Sequence, residues 1–279
     1  MTALCDNTSA PVGLLDSGWG GLSVALEVRR ALPGEDLVFA ADCGFAPWGE
    51  KPDAFVLERI DAVVDFLIAR GIKALVVACN TATSLAVQRL RERLAMPVVG
   101  IEPAVFPAVR ETVTGTVAVL ATPKTIDGLK YRALREEALR WAHEHRSVSV
   151  DVIDVPAPGL MQCVERGDFA TPETRALVRN FLEPAAARGA DRIVLGCTHY
   201  PFLLEAIREC VPGAEPIDPA PAVARQLMRR LREEGLATPR TAGGTSRFFA
   251  TDPTTEREAV LRTLWRASGE TEPRLEALV

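Results

Sequence analysis

The chain has 279 residues, 48% of them hydrophobic and 25% charged, with a formal net charge of -5. That length holds one large or two moderate cores, and an acidic chain without a basic block argues against nucleic acid as the main partner. No apolar run approaches the roughly 18 residues that span a bilayer, and the opening MTALCDNTSAP lacks the charged-then-apolar pattern of a signal peptide; a cytoplasmic protein without a membrane partner is expected.

The predicted elements alternate along the chain. VGLL at 12–15 is a strand, LSVALEVRRAL at 22–32 a helix, DLVFAAD at 36–42 a strand, and 54–71 a long helix ending at Gly71. KALVVA at 73–78 is a strand, 84–94 a helix, and MPVVGI at 96–101 a strand. A second series follows: GTVAVLAT at 115–122, a helix over 125–145, and VSVDVIDV at 148–155. Helical stretches then run through Val164 and over 172–187, and DRIVLG at 191–196 is again a strand. Helices are predicted over 200–210 and 222–234, a strand at RFFAT (247–251), and a last helix through Trp265. Continuous apolar strands alternating with helices mean parallel sheets covered on both faces.

The two series read as diverged copies. Each has an early strand ending in a polar turn (LLDSGWGG, VLATPKTI) and a later strand ending in cysteine (VVACNTAT, VLGCTHYP). The expected fold is α/β, two pseudo-symmetric parallel-sheet domains with the active site in the cleft between them. The first spans 11–103 plus 216–266 and the second 104–215, with loose termini at 1–10 and 269–279. Ligands of open parallel sheets bind at the carboxyl ends of strands, where all four turns lie.

Six cysteines in a cytoplasmic chain are expected to be thiols. No CxxC spacing occurs, and His143 and His145 fall in a polar helical segment, so no metal site is expected. Cys5, Cys163 and Cys210 read as small buried apolar side chains, and Cys43 also follows a strand. Cys79 and Cys197 stand where a strand gives way to a helix, a position whose free N–H groups favour thiolate. Two thiols on opposite walls of a cleft suit general acid-base catalysis at carbon, one removing a proton and the other returning one to the opposite face. Such inversion of a stereocentre needs no cofactor. Asp16 and Ser17 end the first strand, as either a helix cap or a carboxylate beside Cys79. Asn80, Thr81 and Thr198 can cap helices and also donate to a carboxylate ligand. His199 either assists Cys197 or stands on the surface, and Glu165 by position alone is a solvated helix residue.

LLDSGWGGLSV, ADCGFAPWGEK, VVACNTAT, GIEPA, LATPKTI and LGCTHYPF, in that order, together resemble the glutamate racemases of the aspartate/glutamate racemase superfamily. The likeness runs from about Pro11 to Phe202 and, through AVARQL, to about Leu227. The resemblance implies cofactor-independent interconversion of L- and D-glutamate, which supplies D-glutamate for peptidoglycan, and a homodimer. It makes Cys79 and Cys197 the two acid/bases, with Asp16 assisting the first and His199 and Glu165 the second. Ser17, Pro47, Trp48, Gly49, Asn80, Thr81, Thr122, Thr125 and Thr198 would line the substrate pocket. Trp48 departs from the family's Pro-Tyr-Gly, Trp19 replaces a smaller residue, Ala157 stands where Cys-Pro is common and Pro219 where threonine is. The rival readings are another racemase of the superfamily, such as an aspartate-type enzyme, and a binding protein that keeps the pocket without catalysis.

Overall fold

The computed structural model describes residues 7–270 and 273–278, so Cys5 lies outside the described residues. The chain divides into two α/β units. One comprises the described residues through Ile101 together with those from Ala220 onward, and the other is Glu102–Pro219.

The first unit opens with β1 (Val12–Asp16), α1 (Leu22–Ala31), β2 (Leu37–Ala41), α2 (Asp53–Ile68), β3 (Ala74–Val77), α3 (Asn80–Arg93) and β4 (Val98–Gly100). The second unit carries α4 (Val105–Glu111), β5 (Thr116–Ala121), α5 (Pro123–Asp127), α6 (Leu129–His145), β6 (Asp151–Pro156), α7 (Leu160–Arg166), α8 (Pro172–Ala187), β7 (Arg192–Leu195), α9 (Leu204–Cys210) and β8 (Glu215–Ile217). The chain then returns to the first unit with α10 (Ala220–Glu233), β9 (Ser246–Ala250), α11 (Thr255–Trp265) and β10 (Leu275–Ala277).

Both sheets are wholly parallel. Their orders are β10-β9-β2-β1-β3-β4 and β6-β5-β7-β8. The run β2-β1-β3-β4 thus repeats the order of β6-β5-β7-β8, which is the topology expected of the two series. Strands β1, β2 and β3 are buried at every position, as sheets covered on both faces require. In the first unit, Val56, Ile60, Val63 and Leu67 of α2 pack with Leu15, Leu75, Val77 and Ala86. Each such side chain contributes roughly 1.5–3 kcal/mol by leaving water.

Several local boundaries differ from the expected ones. The helix over 125–145 is broken at Gly128, whose extended backbone (φ -66°, ψ 134°) separates α5 from α6. Thr122 caps α5 by accepting the Thr125 N–H, with Pro123 as the first helical residue. The second crossing comes at Ala220 rather than 216, because β8 pairs with β7 and so belongs to the second sheet. The segment from 269, expected to be loose, carries β10, which pairs with β9 from Leu275 to Ala277. Residues 7–9 form a turn of 3-10 helix.

One buried ion pair ties the amino ends of these strands together. Lys73 Nζ lies 2.6 Å from Glu35 Oε2, and both side chains are almost wholly buried. Lys73 also donates to the Thr8 carbonyl at 2.5 Å, and Glu35 Oε1 accepts the Thr238 N–H at 2.8 Å. Removing one partner strands the other charge in a dry site. Lys73→Met should therefore destabilise the protein by about 3–5 kcal/mol, and the double change Lys73→Met with Glu35→Gln should recover most of that loss, both read as shifts in the urea midpoint.

Candidate active site

Within the first unit, the carboxyl ends of β1 and β3 bring Asp16, Ser17 and Cys79 together. Asp16 is fully buried, and Ser17 and Cys79 nearly so. The Asp16 carboxylate accepts the Ser17 N–H at 2.5 Å and the Ser17 hydroxyl at 3.2 Å. Cys79 Sγ donates to Ser17 Oγ at 3.9 Å. A thiol, a hydroxyl and a carboxylate are thereby linked in series, and Ser17 is the middle member rather than only a pocket lining. The turn leaves no room for a side chain at Gly21, where a Cβ would stand 2.8 Å from Asp16 Cβ and 3.0 Å from Phe39. The close approach of the α1 entry to the carboxylate accounts for that glycine.

The Cys79 thiol is pushed strongly upward, first by burial and then by the Asp16 carboxylate. These outweigh the favourable hydrogen bonds from the Ala82 N–H and the Ser17 side chain. The expectation that the helix N-terminus would favour thiolate here is overturned: a terminal N–H cannot offset lost hydration and an adjacent negative charge.

Asn80 and Thr81 begin α3, and both are buried. Neither the Asn80 amide nitrogen nor its oxygen has a hydrogen-bond partner among the described residues. Buried amides are normally satisfied, which marks this side chain as a candidate for contact with a ligand.

Within the second unit, the carboxyl end of β7 presents Cys197, Thr198 and His199. Gly196 allows the strand to run against β5, because a Cβ there would lie 2.7 Å from that of Ala121. Cys197 Sγ is 3.5 Å from His199 Nδ1, and His199 Nε2 is 2.6 Å from Glu165 Oε1 of α7. Gly159 and Gly167, with φ of 83° and 84°, bound α7 in left-handed backbone, and so set the short helix that carries Glu165. His199 is buried rather than on the surface. Burial by itself would lower its pKa, but the Cys197 sulfur and the Glu165 carboxylate outweigh it and hold the imidazole well above its ordinary value. The sulfur and the carboxylate on its two sides thus favour the imidazolium form. Thr198 is buried beside them. Thr122 and Thr125 share a hydroxyl contact of 3.0 Å at the end of β5, the second-unit counterpart of Asp16 and Ser17.

Both indoles are packed within the first unit. Trp19 is fully buried and stacks on Phe39 at 6.4 Å. Trp48 is also fully buried, in the apolar cluster that contains Cys79, and its Nε1 donates to Asp42 at 3.1 Å. Its indole N–H is therefore committed within the protein. Pro47 follows a cis peptide bond, and Pro47 and Gly49 are half-buried. Cys163 is buried and Cys210 half-buried.

A sequence description of the Asp/Glu/Hydantoin racemase family matches residues 48–227. The glutamate racemase of Pseudomonas syringae pv. tomato is 47% identical over 83% of this chain and 81% of its own, and that of Ectopseudomonas mendocina 44% identical over 92% and 95%. The chain belongs to the Asp/Glu/Hydantoin racemase family. Solved members of the family superpose along the whole length. Glutamate racemase from Francisella tularensis in complex with D-glutamate gives a TM-score of 0.80 at 27% identity, covering 97% of each chain. Escherichia coli glutamate racemase in complex with L-glutamate and the activator UDP-MurNAc-ala gives 0.81 at 32%, covering 96% of this chain and 98% of that one. The protein is an isomerase of the amino-acid racemase type, as its motifs imply, and the non-catalytic reading falls away. Among the described residues no helix is long and apolar enough to cross a membrane.

Sequence reasoning did not single out Asp42. The signal was present, since DLVFAAD ends a strand in a carboxylate just as VGLLD does.

The raised His199 pKa gives a signed pH dependence. Its ionic contribution to stability is complete below the ordinary histidine value near ~6.5 and is lost as pH rises through the folded value. Glu165→Gln should cost about 1.5–3 kcal/mol in mildly acid solution and progressively less at alkaline pH, as measured by melting temperature against pH.

Proposed function

We propose that the protein interconverts L- and D-glutamate by a two-base mechanism in which Cys79 and Cys197 serve opposite faces of the α-carbon. The observation that carries this reading is the pair of unlike thiol environments at equivalent strand ends. One thiol is linked through Ser17 to the Asp16 carboxylate, and one sulfur adjoins a histidine held by Glu165. From L-glutamate, the Cys197 thiolate takes the α-proton, with the His199 imidazolium balancing its charge beforehand. The Cys79 thiol gives its proton to the opposite face, and the D-isomer results. The reverse direction begins with Cys79 as thiolate, its proton having left through Ser17 and Asp16. Every proton moves between carbon, sulfur and neighbouring acids, so no redox or group transfer is involved.

The substrate carboxylates call for neutral donors at helix N-termini. Asn80, Thr81 and Thr198 fit that role, with Ser17, Thr122, Thr125 and the Pro47–Gly49 segment completing the lining. The relatives' names and the two glutamate complexes favour glutamate over an aspartate-type substrate. Supply of D-glutamate for peptidoglycan, in a homodimeric cytoplasmic enzyme, completes the reading.

Circular dichroism at a fixed ultraviolet wavelength follows the loss of optical activity from either isomer. Cys79→Ala and Cys197→Ala should each abolish racemisation, and full activity in either variant would remove the two-base scheme. In deuterated water each turnover should place one solvent deuteron on the α-carbon, checked by mass spectrometry; retained substrate hydrogen would rule out an exchangeable thiol as base.

Asn80 separates binding from stability. Asn80→Leu removes a buried amide that has no partner among the described residues, so folding stability should be unchanged or higher by about 1 kcal/mol. Glutamate affinity should fall at least about tenfold through loss of the amide contacts. Thermal melting with and without glutamate measures both.

A further inference from the structure

Asp42, at the end of β2, has no part in the proton transfers, yet its carboxylate is fully buried. It accepts Trp48 Nε1 at 3.1 Å, Arg59 Nε at 2.9 Å, Arg59 Nη2 at 2.8 Å and the Thr251 hydroxyl at 3.1 Å. Arg59, from α2, uses its guanidinium twice. The edge forks onto Asp42, and the face lies 3.9 Å from the centre of the Phe45 ring. The Gly44 N–H donates to the same Thr251 hydroxyl at 2.9 Å, and the Asp42 N–H donates to the Asp16 carbonyl at 3.0 Å. The ties that hold residues 44, 45 and 48 therefore converge on one carboxylate, which is joined through its backbone to Asp16.

A buried ion pair is a poor source of net stability, because lost hydration nearly cancels the attraction, and apolar residues of the same volume often serve as well. What a forked, fully occupied carboxylate supplies is one geometry. Trp48 shares its apolar cluster with Cys79 and Ala82. A phenyl ring would occupy an apolar slot without an acceptor, whereas the indole N–H demands one and thereby fixes its own orientation.

We propose that Asp42, locked by Arg59, is a positioning residue that holds Trp48, and through it the Pro47–Gly49 segment, in the orientation that meets the glutamate substrate at the Cys79 half of the site. This rests on the glutamate reading above. A contact made equally in ground and transition states lowers KM without changing kcat, so loss of the clamp has a distinct signature.

The test uses the full-length protein carrying Asp42→Asn, Arg59→Lys or Trp48→Phe. KM for glutamate should rise about tenfold or more with kcat held within about threefold. Trp48→Tyr, which keeps a ring and an O–H donor, should raise KM less than Trp48→Phe does. Iodoacetamide labelling, resolved cysteine by cysteine with mass spectrometry, should accelerate at Cys79 at least about threefold, while Cys163 and Cys197 react at wild-type rates. An unchanged KM in all three variants would overturn the proposal, as would equal acceleration at every buried cysteine, which would mark the clamp as a plain stability element. Should Asp42→Asn fail to fold, Arg59→Lys and Trp48→Phe decide the matter. If the wild-type protein does not turn over glutamate, the substrate reading fails on its own, and selective or uniform labelling still decides whether Asp42 orders the Cys79 half.

Discussion

A thiol kept dry beside a carboxylate is the interaction on which the site depends. Burial of Cys79 and the charge on Asp16 both oppose a thiolate, and the N-terminus of α3 does not reverse them. The arrangement requires Asp16 to sit in a fully buried place, where it accepts two hydrogen bonds from Ser17. It also requires the first turn of the chain to pass within touching distance of Asp16, which only Gly21 permits.

The same strand order produces a different outcome in the second unit. There the residue after β5 is Thr122, a neutral cap, and the charged partner of the sulfur comes instead from two positions further along the chain and from α7. A histidine held by Glu165 replaces a carboxylate beside the sulfur. Duplicated topology supplies equivalent strand ends, and the side chains at those ends give the two sulfurs unlike surroundings.

Much of the fold was legible because its strands are apolar throughout and its helices are bounded by turn residues. The periodicities of 12–15, 73–78, 115–122 and 191–196 located the four strands whose ends carry the candidate residues of the two units. Boundaries were less legible where two signals compete. Gly128 breaks a helix whose apolar periodicity continues across it, and Leu275–Ala277 is too short a run to announce a strand without its neighbour β9. Cys79, Cys197, Asp16 and His199 could be singled out because their positions at strand ends are themselves a chemical signal. Glu165 could not be read that way, since its helix position is that of a solvated residue, and only the likeness to relatives pointed to it.

The amino-acid sequence by itself determined the fold class, the duplication and which candidate side chains stand at strand ends, because these follow from hydrophobic period and from residue type. Tertiary structure decided how those groups behave. Whether Cys79 holds or loses its proton depends on hydration and on the distance to Asp16. Whether Trp48 offers its N–H to a ligand or spends it on Asp42 depends on a partner six residues away that Arg59 holds from another helix. Electrostatic effects scale with separation and burial, and neither quantity exists until the chain has folded.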